Sequence, residues 1–195
     1  MRSIILFIIF FLAVSTAGSG DKDMKIEIIP LGSIEKSVMD HLKANLAAVF
    51  HVEVFSCRSQ PVPEYAFNKR RSQYFSSQIL DTLVQIKKLQ STKILVLIDK
   101  DLYVPELNFV FGVADVLQVV CIISLTRLRQ SYYNLPEDNN LFMERALKEA
   151  VHEMGHLLGH RHCTNPKCVM HFSNSLQDTD IKGCQFCGAC KKLIP

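Results

Sequence analysis

The apolar positions of this chain switch between a period of two and a period near 3.6, and each switch marks an element. Residues 25–31 alternate and then become continuously apolar, a strand that Pro30 and Gly32 bring to an end. Ile34, Val38, Leu42, Leu46 and Phe50 then recur at helical spacing, with Ser33 placed as an N-cap. Residues 52–55 read as a short second strand. Pro61-Val62-Pro63 opens a loop that continues through Asn68-Lys69-Arg70-Arg71. Phe75, Ile79, Leu83 and Ile86 give a second amphipathic helix. Residues 94–98 are continuously apolar, as expected of a central strand covered on both faces. Residues 108–111 read as a further strand ended by Gly112, and residues 119–125 as another. After a polar loop over 132–140, helical spacing returns from about Leu141 through Phe142, Ala146 and Ala150 to Leu157.

Helices and strands alternate until this last helix, and no repeat or low-complexity linker divides the chain. The pattern implies an α/β (α+β) fold: a mixed sheet with packed helices, one long functional helix, and a small Cys-rich C-terminal part. The cleft is expected between the sheet and that tail. With 195 residues, nearly half of them apolar, the chain can bury a real core. Its net charge of +3 is carried by scattered Lys and Arg, so no basic stripe points to nucleic acid.

Residues 1–20 stand apart. Met1-Arg2 precedes a continuous apolar run from Ile4 to Val14, followed by Ser15-Thr16-Ala17-Gly18-Ser19-Gly20. A positive end, a short apolar stretch and small residues are the parts of a secretory signal peptide. The expectation is an exported chain, secreted or periplasmic, with an N-terminal membrane anchor as the alternative. Residues 21–195 then form the functional domain, with the Cys-rich subdomain over about 163–195, expected to act as a monomer.

The chemistry gathers in His152-Glu153-Met154-Gly155-His156-Leu157-Leu158-Gly159-His160-Arg161-His162-Cys163. His152 and His156 are four apart, so on a helix they project from one face and can share a metal ion. Glu153 is placed to reach a water on that ion rather than the ion itself. Gly159, without a Cβ, can turn the chain sharply and bring His162 round as third ligand. Three neutral imidazoles leave a tetrahedral zinc with one open position, the arrangement of a catalytic site. His160 and His171 compete as imidazoles, but only His162 matches the long spacing H-E-x-x-H-x-x-G-x-x-H. That spacing is the signature of the metzincins, with a Met-containing turn downstream, for which Met170 is the candidate.

Five of the seven Cys crowd into the last part of the chain at metal-type spacing, while Cys57 and Cys121 stand apart. In an exported chain two disulfides are the alternative to zinc. Cys121 lies in an apolar strand and reads as a buried small hydrophobe.

The run H-E-x-x-H-x-x-G-x-x-H-C-x-x-x-x-C-x-M followed by Cys187-Gly188-Ala189-Cys190 resembles the archaemetzincin family of zinc metallopeptidases. Asp101-Leu102-Tyr103-Val104-Pro105, Asn108-Phe109-Val110-Phe111-Gly112 and Phe172-Ser173-Asn174-Ser175 carry the same resemblance, which covers nearly everything after the leader. It implies two zinc ions: a catalytic one on His152, His156 and His162, and a structural one on Cys163, Cys168, Cys187 and Cys190. Cys184 departs from the pattern, since Cys184-Gln185-Phe186-Cys187 is a second, overlapping C-x-x-C. The resemblance also implies hydrolysis of peptide bonds with Glu153 as general base, Met170 as an apolar floor beneath the imidazoles, and a peptide held as an added strand along residues 119–125. The alternative is a zinc-stabilised peptide-binding protein with little or no hydrolytic activity; the presence of Glu153 favours the enzyme.

Overall fold

The structure is a computed structural model that describes residues 24–83 and 92–192. The leader and Ile86 lie outside the described residues. Five strands form the main sheet in the order β2-β1-β5-β8-β7, where β1 is Lys25–Leu31, β2 Glu53–Ser56, β5 Thr92–Ile98, β7 Gly112–Asp115 and β8 Val120–Ser124. β2, β1, β5 and β8 are parallel, and β7 runs antiparallel to β8 as an edge. The sheet is mixed, as the sequence implies.

The period of two divides two cores. Ile26, Ile28, Leu95, Leu97, Cys121 and Ile123 face one side; Ile29, Leu31, Ile94, Val96, Ile98, Val120 and Ile122 face the other. Register keeps each set together: Ile28 pairs with Leu95, and Leu95 with Cys121. On the first side lie α1, Lys36–Phe50, and α3, Asn139–Leu157; on the second lies α2, Ser76–Leu83. Each fully buried aliphatic side chain there contributes about 1.5–3 kcal/mol relative to exposure.

Several expectations shift. α1 begins at Lys36 with Glu35 as N-cap and no side-chain cap bond, so Ser33 does not cap it. Phe75 belongs to a strand and not to α2. Residues 61–75 and 102–103 build a second sheet of very short strands, β3 (Phe67–Asn68), β4 (Gln73–Phe75) and β6 (Leu102–Tyr103), in the order β3-β4-β6. Strands of two or three residues are too short to show a period.

The largest correction concerns residues 108–111. They do not form a ladder strand, and β7 starts at Gly112, where that strand was expected to end. Val110 makes one isolated bridge to Leu102. The segment is apolar because Phe109 and Phe111 pack together, 5.1 Å between ring centroids, and face a cavity. It is held from behind. Arg71 Nη2 donates to the carbonyls of Leu107 (2.6 Å) and Asn108 (3.0 Å), and Gln73 Nε2 donates to Asn108 O at 2.9 Å. Arg127, clamped bidentately on Asp101, lies 4.2 Å over the Phe109 ring.

The tail has two short helices, α4 (Leu176–Ile181) and α5 (Gly188–Lys191). It makes no core of its own. Cys168, Val169, Met170, Phe186 and Cys190 join the core under α1 and α3, with Phe186 edge-on to Phe50 at 5.9 Å.

Candidate active site

Helix α3 carries the site. Asp138 caps it by accepting from Leu141 N at 2.9 Å. At its other end Gly159 takes φ +88°, in the left-handed region. His160 N then donates to Gly155 O (3.0 Å) and Gly159 N to His156 O (2.9 Å), the paired bonds of a Schellman stop. This turn brings His162 back over the helix face.

The Nε2 atoms of His152 and His156 lie 3.1 Å apart, and the ligand atoms of His152, His156 and His162 all fall within 4.8 Å of one another. The Nδ1 atoms of the first two face backbone carbonyls, Val169 O at 2.7 Å and His160 O at 2.8 Å. Only an N–H can face a carbonyl at that distance, so Nδ1 holds the proton in each ring and Nε2 is a bare lone pair. Two lone pairs 3.1 Å apart repel unless a cation lies between them. The spacing suits zinc, for which tetrahedral nitrogens stand about 3.3 Å apart. Burial holds His152 unprotonated, its pKa drawn down to about 4, with the Lys182 charge acting the same way and Glu149 against it. His156 and His162 are shifted in the same direction, burial again leading. His160 is not in this set: its ring packs on Phe186 at 5.0 Å, and its carbonyl fixes the His156 tautomer. His171 Nδ1 lies 2.9 Å from Cys163 O.

Glu153 is buried beside the three imidazoles and lines the same cavity of about 390 Å³. Burial, and after it the Glu149 charge, pushes its carboxyl up to about 8, with Lys182 opposing. Met170 is fully buried and packs against Gly155, which lies between His152 and His156 on the helix. The cavity walls are Phe109, Phe111, Val113 and Ala114 on one side and Phe172, Ser173 and Asn174 on the other. The edge along this cavity is β7. β8 is paired on both sides, so the expected added strand along 119–125 has no free edge to use.

The four thiols of Cys163, Cys168, Cys187 and Cys190 likewise fall within 4.8 Å of one another, with Cys163 Sγ 3.9 Å from Cys187 Sγ. Sulfurs tetrahedral about zinc stand about 3.8 Å apart. Amide N–H groups, the Cys190 one first, hold the Cys187 thiol down to about 6. Cys184 is half-buried and outside the set. All seven Cys are free thiols. Cys121 is fully buried, 3.9 Å from Met154 Sδ, and burial pushes its thiol up.

Glu149 and Lys182 escaped the sequence reading, and Gly112 entered it only as a strand end and as part of a family motif. Glu149 lies three residues before His152 and four before Glu153, on the same helix face, and that spacing could have flagged it.

A His-His-Glu helix face closed by a third His, beside a sheet edge, defines a metallopeptidase. The profile of peptidase family M54 matches residues 22–195. The archaemetzincin of Methanocaldococcus jannaschii is 40% identical over 174 residues, which cover 88% of this chain and 93% of that one. Among solved structures, archaemetzincin from Archaeoglobus fulgidus, complexed with malonate, aligns with a TM-score of 0.76 at 38% identity, over 88% of this chain and all of that one. A zinc-dependent peptidase from Methanocorpusculum labreanum aligns with a TM-score of 0.80 at 29% identity, over 87% of this chain and all of that one. The chain belongs to peptidase family M54.

Proposed function

We propose that the chain hydrolyses peptide bonds in the cavity between β7 and α3, with Glu153 as the acid–base residue and two zinc ions per chain. His152, His156 and His162 would hold the catalytic ion; Cys163, Cys168, Cys187 and Cys190 the structural one. When bound, the catalytic ion supplies Lewis acidity, polarising a carbonyl and making water more acidic. Glu153 accepts the proton of the attacking water and returns it to the leaving amine. The peptide lies as an added strand on the outer edge of β7, which pairs with no further strand among the described residues, and its side chains alternate toward the cavity. The Val169 and His160 carbonyls keep two imidazoles in the ligating tautomer.

The substrate is a peptide or protein, the enzyme acts as a monomer, and nucleic acid has no part. The leader supports export, as a secreted or periplasmic enzyme or on an N-terminal anchor. Among the described residues no helix is long and apolar enough to cross a membrane.

One observation carries the reading. A carboxylate is buried beside three imidazoles that do not need it as a ligand. Its test is Glu153→Ala with zinc measured in the same sample. Zinc should stay and peptide cleavage should fall at least about 10²–10⁴-fold. His156→Ala should lose metal and activity together. Equal cleavage by Glu153→Ala and wild type, both loaded with zinc, would assign the activity elsewhere and leave a zinc-stabilised binding protein.

A further inference from the structure

Two turns of α3 precede the metal-ligand face, and their buried side carries Arg145, Lys148 and Glu149. Each engages the segment around α4. Arg145 forms a bidentate pair with Asp180 (2.6 and 2.7 Å), and Lys148 Nζ donates to Asp180 O at 3.2 Å. Lys182 Nζ lies 2.9 Å from Glu149 Oε1, with side chains 0% and 4% exposed. Thr179, also fully buried, donates through Oγ1 to the same Oε1 at 3.2 Å.

Glu149 differs from the other two because it also lines the cavity that Glu153 and the three His line. Apart from that catalytic set, it is the one charged residue in the cavity wall among the described residues. Both its protein partners sit on Oε1. The rest of the wall is apolar, except Asn174 and Ser173, whose buried hydroxyl has no partner among the described residues. A carboxylate fixed by two buried partners in an apolar cavity is a preorganised acceptor. Its charge is already balanced by Lys182, so a cationic side chain would gain little and would meet that ammonium. A neutral N–H or O–H donor meets no such repulsion.

We infer that Glu149 is a specificity-determining residue, and that the cavity takes a substrate side chain ending in a neutral hydrogen-bond donor, a carboxamide or hydroxyl, which donates to Glu149 Oε2. The inference rests on the proposed peptidase reading, and it names the substrate class of that site. An aliphatic side chain of equal size would bury the acceptor without a donor, and a site built for a donor discriminates strongly against such an isostere.

The test uses matched peptides that differ only by Gln against Met, or Thr against Val, placed in turn on either side of the scissile bond. Zinc-loaded protein is given these peptides, and dipeptide hydroxamates carrying the same side chains are titrated calorimetrically. Gln should exceed Met at least about tenfold in kcat/KM and in affinity, with Lys no better than Met. In Glu149→Met/Lys182→Met, which removes both charges and keeps the volume, the preference should fall to near one or reverse. A tenfold affinity preference without cleavage of any peptide would uphold the inference and defeat the hydrolytic reading. Cleavage with equal rates for Gln and Met in wild type would overturn the inference and leave that reading intact. A preference that survives unchanged in the double variant would also overturn it. Should that variant fail to fold, the wild-type ratio alone decides.

Discussion

Gly112 and Glu153 stand in direct contact across the cleft: a Cβ built on Gly112 would lie 2.6 Å from both Cγ and Oε1 of Glu153. The first residue of the edge strand is thus the wall against which the carboxylate proposed for acid–base work rests. Gly112→Ala should push that carboxylate aside without touching a metal ligand. Peptide cleavage should drop by about 10²-fold, the cost expected of a catalytic group displaced by roughly 1 Å, with zinc content unchanged. Wild-type activity in the alanine variant would show that Glu153 does not need this position.

Gly155 has a similar role on the buried side of α3. A Cβ there would overlap Met170 Sδ and lie 3.1 Å from Phe186 Cε1. Gly155→Ala gains helix propensity but overpacks the core, for a net loss of about 1–3 kcal/mol. The urea midpoint should fall accordingly. Combined with Met170→Ala, which opens that space, the two changes should cost less than their sum. Strict additivity would rule out the contact.

The choice between the overlapping Cys pairs can be checked by metal analysis. Cys187→Ser should lose zinc from the thiolate site and loosen the tail, because Cys187 Sγ sits 3.9 Å from Cys163 Sγ. Cys184→Ser should keep two equivalents. Mild chelation of wild type should remove one equivalent first, from the neutral His site with its open position, and leave the fold intact. Equal zinc loss in the two serine variants would reverse the assignment.

Acid should weaken the metal-free chain early. His152 titrates at about 4 when folded, chiefly because it is buried, and near 6.5 when unfolded. Between those values the unfolded state binds more protons, so stability is lost as pH falls through that window, by about 3 kcal/mol for this group. Urea unfolding of chelated protein at pH 7, 5.5 and 4 reads the loss directly. His152→Gln keeps an N–H for Val169 O but does not titrate, and should flatten that part of the curve. An unchanged curve would place the acid sensitivity in other groups.

The grouping of His152, His156 and His162 was legible because it is local. The four-residue step from His152 to His156, and a glycine able to adopt φ +88°, are properties of one short segment. The sheet edge was not legible. Residues 108–111 and 119–125 are both apolar, one because it lines a cavity and pins aromatic rings, the other because neighbours cover it. An apolar run does not encode its partners. Gly112 was read as a strand terminator, although its function is closeness to a carboxylate 41 positions further along the sequence. Nothing in the sequence marked Lys182, because its burial comes from tertiary packing against α3. Choosing Cys187 over Cys184 required the family resemblance, since both spacings allow a metal.

His162 and Cys163 are consecutive residues assigned to different ions, and Cys163 N is bonded to Met170 O at 2.9 Å. The two proposed coordination spheres would therefore be coupled in series by one peptide unit. Detachment of the tail would pull the third imidazole from its place while β1, β5 and β8 remain paired. On heating, activity should vanish at a lower temperature than the sheet melts, and thermal inactivation should follow release of the cysteine-bound ion rather than global unfolding.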